Sequence, residues 1–305
     1  MPTKAPAAHS PNRKRSRNWT PWLFVAPSLI TVLAVTIFPT LYSFYLSFLR
    51  WEPTSPVKPF IGLGNYAELF RTDRFVHAAL VTVLLVGVGV TLQLIIGFAF
   101  ANFVISDHRS HRLVVGLMLL PMMVMPVVVG YTWRLLWDAQ YGPINQVIGW
   151  LTGEPFHYVW LGQTGSALFA MIVTDVWQWT PFMFLIFYAG MTTLDQEVYE
   201  ASEMDGAGAW QQFWHITVPL MQPIVVVAAL IRMLDAIKAF DVVFTLTGGA
   251  PGTSTETISF YIYKAAYQFF RLGYGSAAAI VLLIALSFLM TLLLRALRSR
   301  MALEG

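Results

Sequence analysis

The chain has 305 residues, of which 57% are hydrophobic and only 11% are Asp, Glu, Lys or Arg. Soluble proteins carry roughly 25% charged residues, so this composition excludes an ordinary soluble protein and indicates an integral membrane protein. The formal net charge of +3 does not indicate a nucleic-acid-binding protein, because five of the 19 basic residues lie in the first 17 positions and others flank apolar runs.

The N-terminal residues 1–18 are predicted to form a disordered basic cytoplasmic tail. A secretory signal also begins with basic residues, but the uncharged run from Asn18 to Leu49 is longer than the ~7–15-residue core of such a signal. No small-residue cleavage site follows the run. We therefore expect it to be retained as a membrane helix.

Six apolar segments are long enough to cross a bilayer, which takes about 20 residues. They predict an all-α integral membrane protein with a transmembrane domain over residues 19–300 and a short C-terminal tail, 301–305. The predicted spans are residues 22–46, 78–103, 113–137, 167–191, 223–246 and 274–294. Lys and Arg outside the spans number ten on the side of the termini and six on the other, which predicts that both termini are cytoplasmic.

Aromatic and polar side chains within the third and fourth spans are candidates for a solute pathway. They are Tyr131, Asp175, Trp177, Gln178 and Trp179. Aromatic faces and amide or carboxylate groups suit sugars, which offer C–H faces and hydroxyls. An interfacial aromatic belt explains the tryptophans equally well and is favoured for Tyr131.

The cytoplasmic loop 192–222 is predicted to contain two short helices around a glycine turn. Thr193 and Gln196 have the spacing of a capping box at the start of the first helix, and Gly206 allows a sharp turn. The second helix is expected over 210–218, where Pro219 would interrupt continuation into the fifth span. A plain solvated loop is the alternative.

The same loop resembles the EAA loop of ABC importer permeases. Glu200-Ala201-Ser202 is followed after three residues by Gly206 and after nine more by the segment 216–219, Ile-Thr-Val-Pro. Ser and Val stand where Ala and Leu are usual. The resemblance implies coupling helices that sit in a cleft of an ATPase subunit. The coupling residues it implies are Glu200, Ala201, Ser202, Asp205, Gly206, Ala207, Ile216 and Pro219.

Other segments carry the resemblance over nearly everything after residue 20. Residues 22–48 are similar to the first span of the larger sugar-permease subunit, 175–182 to its fourth span, and 240–257 to the segment after its fifth, with Ala250 where Gly is usual. The resemblance points to the first permease subunit of maltose and glycerol-phosphate transporters. It implies a type I ABC importer permease architecture.

That family implies a function and a set of partners. The chain would be a multi-pass, non-catalytic subunit in the bacterial inner membrane, paired with a second homologous permease. Two copies of an ABC ATPase would bind ATP and Mg²⁺, so this chain would need no cofactor. An extracytoplasmic solute-binding protein would deliver a sugar, oligosaccharide, polyol or glycerol phosphate.

The outer loop 138–166 is implied to be a ledge that meets the binding protein, with a plain loop as the competing interpretation. The candidate contact residues are Tyr141, Gly142, Asn145, Gly248 and Gly249. The two glycines at 248 and 249 belong to a glycine-rich segment that we expect to be an external turn.

The fifth span carries Arg232, Asp235, Lys238 and Asp241. Each charge at mid-membrane costs roughly 2.5–3.5 kcal/mol, so these side chains must face protein or water. Their spacing allows an internal ion-pair ladder, which is favoured for the first three. Asp241, nearest the outer end, is a further candidate for contact with solute.

A different class of function is an ion-coupled secondary carrier that uses these charges. The near-complete EAA spacing argues against it, as does the lack of a second charged span that would mirror the fifth. No Walker loop, H-E-x-x-H or G-x-S-x-G motif occurs. The sequence contains no cysteine, and His108 and His111 are too few to hold a metal, so no metal site is predicted.

Overall fold

The computed structural model describes residues 20–106 and 111–301 of the chain. The predicted N-terminal tail lies outside the described residues, as does the C-terminal tail apart from Met301. The described part is helical, with loops and one isolated bridge between Leu49 and Phe60. The prediction of an all-α membrane protein is confirmed.

The first half of the chain contains two long spans, one broken span and two short helices between spans. The helices are α1 Thr20–Val32, α2 Phe38–Leu46, α3 Gly64–Arg71, α4 Asp73–Ser106, α5 His111–Met123, α6 Pro126–Leu136 and α7 Pro143–Thr152. A π-helical turn of five residues, Leu33–Ile37, joins α1 to α2, so that one span continues through both helices.

The second half contains the coupling loop and the remaining spans. The helices are α8 Thr164–Met191, α9 Gln196–Met204, α10 Ala209–Gln212, α11 Val218–Ile237, α12 Ile258–Tyr263 and α13 Leu272–Met301. Further π-helical turns directly follow α10 (Phe213–Thr217) and α12 (Lys264–Gln268), and another lies after α11 (Val243–Thr247). A 3₁₀-helical turn, Trp160–Gly162, precedes α8.

The described residues contain five helices that are long and apolar enough to cross a membrane, and a bent pair that supplies the sixth. The five are Trp22–Leu46, Asp73–Ile105, Thr164–Met191, Ala209–Ile237 and Leu272–Leu292. The number agrees with the six predicted spans when the bent pair is counted as one span, and four of the ranges agree with the predicted ones within a few residues.

The third span is not the continuous helix that the sequence predicts. Its two parts, Val114–Met123 and Pro126–Leu136, meet at an angle of 97°. Proline lacks a backbone N–H and pushes the preceding residue out of the helical region. Met125 accordingly takes φ −58° and ψ 136°, and α6 restarts at Pro126.

The fifth span begins earlier and ends earlier than predicted. Its helix runs from Ala209 to Ile237 and includes the second coupling helix, so the predicted interruption at Pro219 is wrong. Pro219 occupies the first turn of α11, where the missing N–H costs little. The π-helical turn Phe213–Thr217 joins α10 to α11 without a break.

The centre of the bundle is formed by α4, α8 and α11. Met183, Phe184 and Phe187 of α8 are fully buried and pack against Met221 of α11. Where α4 crosses α8, Gly97 of α4 allows the two backbones to approach closely, since a Cβ at Gly97 would lie 2.7 Å from Met183 Cβ. Small residues at such crossings let membrane helices pack closely.

Candidate functional site

The loop 192–222 forms two helices, α9 and α10, at one end of the bundle. Asp195 begins α9, because its carboxylate accepts a hydrogen bond from the Glu197 N–H at 3.0 Å. The predicted cap at Thr193 is wrong. Its hydroxyl instead donates to the Gly190 carbonyl at the end of α8, at 2.7 Å.

The turn between the two helices depends on Gly206. Its φ of +82° lies in the left-handed region that favours glycine. The N–H of Gly206 donates to Glu203 O at 3.0 Å, and that of Ala207 donates to Ser202 O at 2.9 Å. Two of the last four carbonyls of α9 are thereby satisfied, in the pattern that commonly ends a helix. The predicted glycine turn is present.

Two side-chain bonds tie α9 to the start of the fifth span. Gln212 Nε2 donates to Ser202 Oγ at 3.0 Å. Tyr199 and Thr217 join their hydroxyls at 2.9 Å. Because these bonds connect both arms of the helix–turn–helix, the element is held as one unit.

This helix–turn–helix exposes large apolar side chains. Met204 is 89% exposed, and Trp210 and Trp214 are also exposed. Of the predicted coupling residues, Ser202, Ala207 and Ile216 are half-buried, and the rest are exposed. A cavity of about 330 Å³ lies between the arms, lined by Asp205, Gly206, Ala207, Gln211, Gln212, His215 and Ile216. Exposed apolar surface of this kind marks a contact with another protein or with the membrane.

A buried polar cluster lies further along the fifth span. Arg232 is 1% exposed, and its Nη2 donates to Asp175 Oδ1 at 2.6 Å. Its Nη1 donates to Asp235 Oδ2 at 3.0 Å, and its Nε donates to Gln93 Oε1 at 2.9 Å. Gln93 Nε2 donates in turn to Asp175 Oδ2 at 2.7 Å. The cluster therefore joins α4, α8 and α11.

The predicted ladder along the fifth span forms only in part. The Arg232–Asp235 pair is present, but Lys238 is exposed and makes no ion pair among the described residues. The shortest contact of Arg232 is instead with Asp175, from another span. Sequence reasoning did not identify Gln93, which lies in an apolar run with no charged neighbour.

A cavity of about 210 Å³ adjoins this cluster. It is lined by Pro126, Asp175, Trp179, Arg232, Asp235, Lys238, Ala239, Phe240, Asp241 and Val242. The indole of Trp179 lies below the Arg232 guanidinium, 4.8 Å from ring centroid to Cζ. Three of the predicted pathway residues, Asp175, Trp179 and Asp241, thus meet at one cavity.

The other three predicted pathway residues do not line this cavity. Trp177 packs edge-on against Trp133, with ring centroids 5.5 Å apart. Gln178 is buried, and its Nε2 donates to the Val124 carbonyl at the break of the third span, at 3.2 Å. Tyr131 is exposed on α6.

The outer loop forms a ledge around α7. Tyr141 is 80% exposed, but Asn145 is only 2% exposed. Asn145 Nδ2 donates to the carbonyls of Ala139 and Tyr158, at 3.1 and 3.0 Å, and its Oδ1 accepts from Trp160 Nε1 at 2.7 Å. Of the predicted binding-protein contacts, Tyr141 is therefore exposed, whereas the Asn145 side chain stabilises the loop through internal hydrogen bonds.

Backbone geometry explains the glycines among those predicted contacts. Gly142 is buried at the start of α7, where a Cβ would collide with the backbone of Leu136 and Asp138. Gly248 and Gly249 have φ of +61° and +84° and form the predicted turn. Gly248 is exposed and Gly249 is buried.

The ledge begins at Asp138. The carboxylate accepts hydrogen bonds from the N–H groups of Tyr141 and Gln140, at 2.8 and 2.9 Å. These bonds favour the ionised form and lower the pKa of Asp138. The side chain therefore stays charged at neutral pH.

The chain is similar to known membrane transport proteins along nearly its whole length. It matches the family of binding-protein-dependent transport system inner membrane components over residues 17–303. The trehalose/maltose transport system permease protein MalF of Thermococcus litoralis is 36% identical over 263 residues, which cover 86% of this chain and 87% of that protein.

Solved structures share the fold at lower identity. A chain of a bacterial ABC transporter involved in the import of the acidic polysaccharide alginate matches with a TM-score of 0.82 and 21% identity, over 93% of this chain and 96% of that one. In the alginate transporter bound to a periplasmic protein holding an alginate pentasaccharide, the TM-score is 0.79 at 21% identity, over 91% and 93%. With the match over residues 17–303, these findings show that the chain belongs to the family of binding-protein-dependent transport system inner membrane components.

Proposed function

We propose that this chain is one permease subunit of an ATP-driven ABC importer for a carbohydrate or related polyhydroxylated solute. The observation that carries the proposal is the exposed helix–turn–helix of α9 and α10. It presents Met204, Trp210 and Trp214 to a partner and is continuous with a membrane span.

The partner at that surface is an ABC ATPase dimer, which binds ATP and Mg²⁺. Its closure moves the helix–turn–helix, and the two bonds at Ser202 and Tyr199 keep the element intact as it moves. Because α10 continues into α11, the displacement reaches Arg232 and the adjoining cavity. The bundle then changes between inward-open and outward-open states, whose populations depend on nucleotide.

The remaining partners lie beside and outside the membrane domain. A second, homologous permease completes the pathway in the bacterial inner membrane, and both termini of this chain lie in the cytoplasm. A solute-binding protein docks on the outer side, where Tyr141 and Gly248 are exposed. The chain itself performs no chemistry.

The carbohydrate class is supported by the cavity and by similar proteins. Trp179 and Phe240 offer apolar faces beside charged groups at Lys238 and Asp241, a combination that suits C–H faces and hydroxyls. The related MalF protein serves trehalose and maltose transport, and the structurally similar transporter imports alginate.

An ion-coupled carrier is less well supported. Arg232 uses its donors on Asp175, Asp235 and Gln93, which fits a fixed structural cluster better than an exchangeable ion site. The family match also concerns a binding-protein-dependent system.

Reconstitution tests the proposal. The chain is assembled in proteoliposomes with its second permease, ATPase and binding protein, and uptake of labelled maltose, trehalose and glycerol is measured. We expect uptake of at least one of them that requires ATP and the binding protein and is insensitive to ionophores. Gradient-driven uptake by the chain alone would establish a carrier instead.

A further inference from the structure

The cavity beside Arg232 has an unbalanced charge. Its lining contains three carboxylates, Asp175, Asp235 and Asp241, and two cations, Arg232 and Lys238. At neutral pH the formal sum is one negative charge. The location of that surplus depends on which charges pair with one another.

Arg232 lies between two carboxylates. Its guanidinium bonds Asp175 at 2.6 Å and Asp235 at 3.0 Å, so this trio carries the net negative charge. The Asp175 side chain is 8% exposed and that of Asp235 is 51% exposed. The excess charge is therefore presented to the cavity at Asp235.

The other two charges do not remove this excess. Lys238 and Asp241 are both exposed at the end of α11 and beyond it, and neither forms an ion pair among the described residues. They carry opposite charges and cancel in the sum. A solute in the cavity thus meets one available cation and two available carboxylates.

The apolar residues that line the cavity strengthen the electrostatic effect of this negative charge. Pro126, Trp179, Phe240 and Val242 are apolar, so they reduce screening by water around the charged groups. Charges interact more strongly across such surfaces than in bulk water. An anionic group entering this half of the pathway would be repelled by Asp235 and Asp241.

We propose that this chain's half of the pathway selects against anions, so that the solute is an uncharged or cationic polyhydroxylated molecule. The inference rests on the proposed function and narrows its substrate class, excluding glycerol phosphate and acidic sugars. Family membership leaves the charge of the solute open, since the similar proteins include a trehalose/maltose permease and an importer of an acidic polysaccharide.

The sequence contains no cysteine, so a single cysteine reports the local potential in the assembled transporter. Ala239→Cys places a thiol in the cavity lining. Its rates of modification by a cationic and an anionic methanethiosulfonate are measured from the mass of this chain. Leu151→Cys, on the exposed surface of α7, is the reference. We expect the cation/anion rate ratio at Ala239→Cys to exceed the reference by about tenfold.

Two further variants test whether the charged residues of this chain produce the negative potential in the cavity. In the Ala239→Cys background, Asp235→Asn should bring the ratio close to the reference, and Lys238→Gln should raise it further. A ratio at or below the reference in the unsubstituted cavity would overturn the inference. Failure of both reagents to react would also overturn it, because the cavity would then be closed to aqueous solutes.

A matched pair of sugars separates this inference from the proposed function. Glucuronamide and glucuronate differ only in the charged group, and each is tested for protection of Ala239→Cys against a neutral reagent. We expect glucuronamide to protect at a concentration at least about tenfold lower. Equal protection would overturn the charge selection but keep the carbohydrate pathway. Absence of protection by either sugar would overturn the inference, while the proposed function would still be decided by the uptake measurement.

Discussion

Arg232 and Asp175 come from different membrane spans and meet at 2.6 Å inside the bundle. Neither charge is tolerable alone at that depth, where a single unpaired charge costs several kcal/mol. Their pairing, supported by Gln93, explains how the fifth span carries a guanidinium that is almost fully buried. The cluster also fixes α4, α8 and α11 relative to one another.

Arg232→Gln should destabilise the membrane domain strongly. The substitution leaves the Asp175 carboxylate buried without its cation, and breaking such a pair costs about 3–5 kcal/mol. We expect a large fall in the thermal unfolding temperature of the purified transporter and loss of uptake.

The double variant Arg232→Gln/Asp175→Asn tests whether pairing is the cause. Since it removes both charges, it should recover much of the lost stability. Arg271→Gln is the control, because its pair with Glu68 is partly exposed and should contribute under about 1 kcal/mol. A double variant as unstable as the single one would show that the charge pair is not the source.

Gly206→Ala should weaken the coupling between the ATPase and the membrane domain. A methyl group has open space there, but φ is +82°, and an L-residue in that region costs about 1–2 kcal/mol. The turn would distort while membrane insertion stays intact. We expect ATPase stimulation and uptake to fall several-fold.

Gly208→Ala is the matched control for the turn. It adds the same methyl group two residues later, also into open space, at a φ of −78° that any residue adopts. Its activity should equal that of the unsubstituted transporter. Equal loss in both variants would assign the effect to bulk at the surface and not to backbone conformation.

Gly97→Leu should disrupt the crossing of α4 and α8. Even a Cβ at Gly97 would lie 2.9 Å from the Phe184 backbone nitrogen, and overpacking costs typically about 1–3 kcal/mol. The yield of assembled transporter and its thermal stability should both fall. Gly87→Leu on the same helix meets open space and should have little effect, so similar losses in the two variants would contradict this account.

Two ledge variants should separate a structural role from a docking role. Asn145→Ala removes three internal hydrogen bonds and should make the loop more sensitive to limited proteolysis. Tyr141→Ala removes an exposed ring and should leave proteolysis unchanged, while weakening stimulation by the binding protein. The proposed docking surface would be wrong if Tyr141→Ala had no effect on that stimulation.

The positions of the first, second, fourth and sixth spans could be predicted from the length of their apolar runs. The first and second spans contain no charged residue in their central parts, and their helices cover the predicted ranges. The glycine turn was also predictable, since few residues other than glycine adopt a φ like that of Gly206.

Other features depend on contacts that spacing does not reveal. Pro126 and Pro219 both lie in the first turn of a helix, but only Pro126 breaks a span. The residue before Pro126, Met125, is extended, whereas the residues before Pro219 stay helical through the π-helical turn Phe213–Thr217. The partner of Arg232 in another span cannot be identified from i,i+3 spacing. Trp177 and Gln178 are neighbours of Trp179 but face other surfaces, so the cavity includes only part of the predicted motif.

The 29 residues from Ala209 to Ile237 form one helix, about 44 Å long at 1.5 Å per residue. If this rod pivots about its midpoint by about 10°, each end travels roughly 4 Å, in opposite directions. Inward displacement of the arm at Trp210 would then accompany outward displacement of the lining at Lys238. Closure on one side of the bilayer and widening on the other would then be the two ends of one motion, provided that the helix does not bend at the turn Phe213–Thr217 or at Pro223.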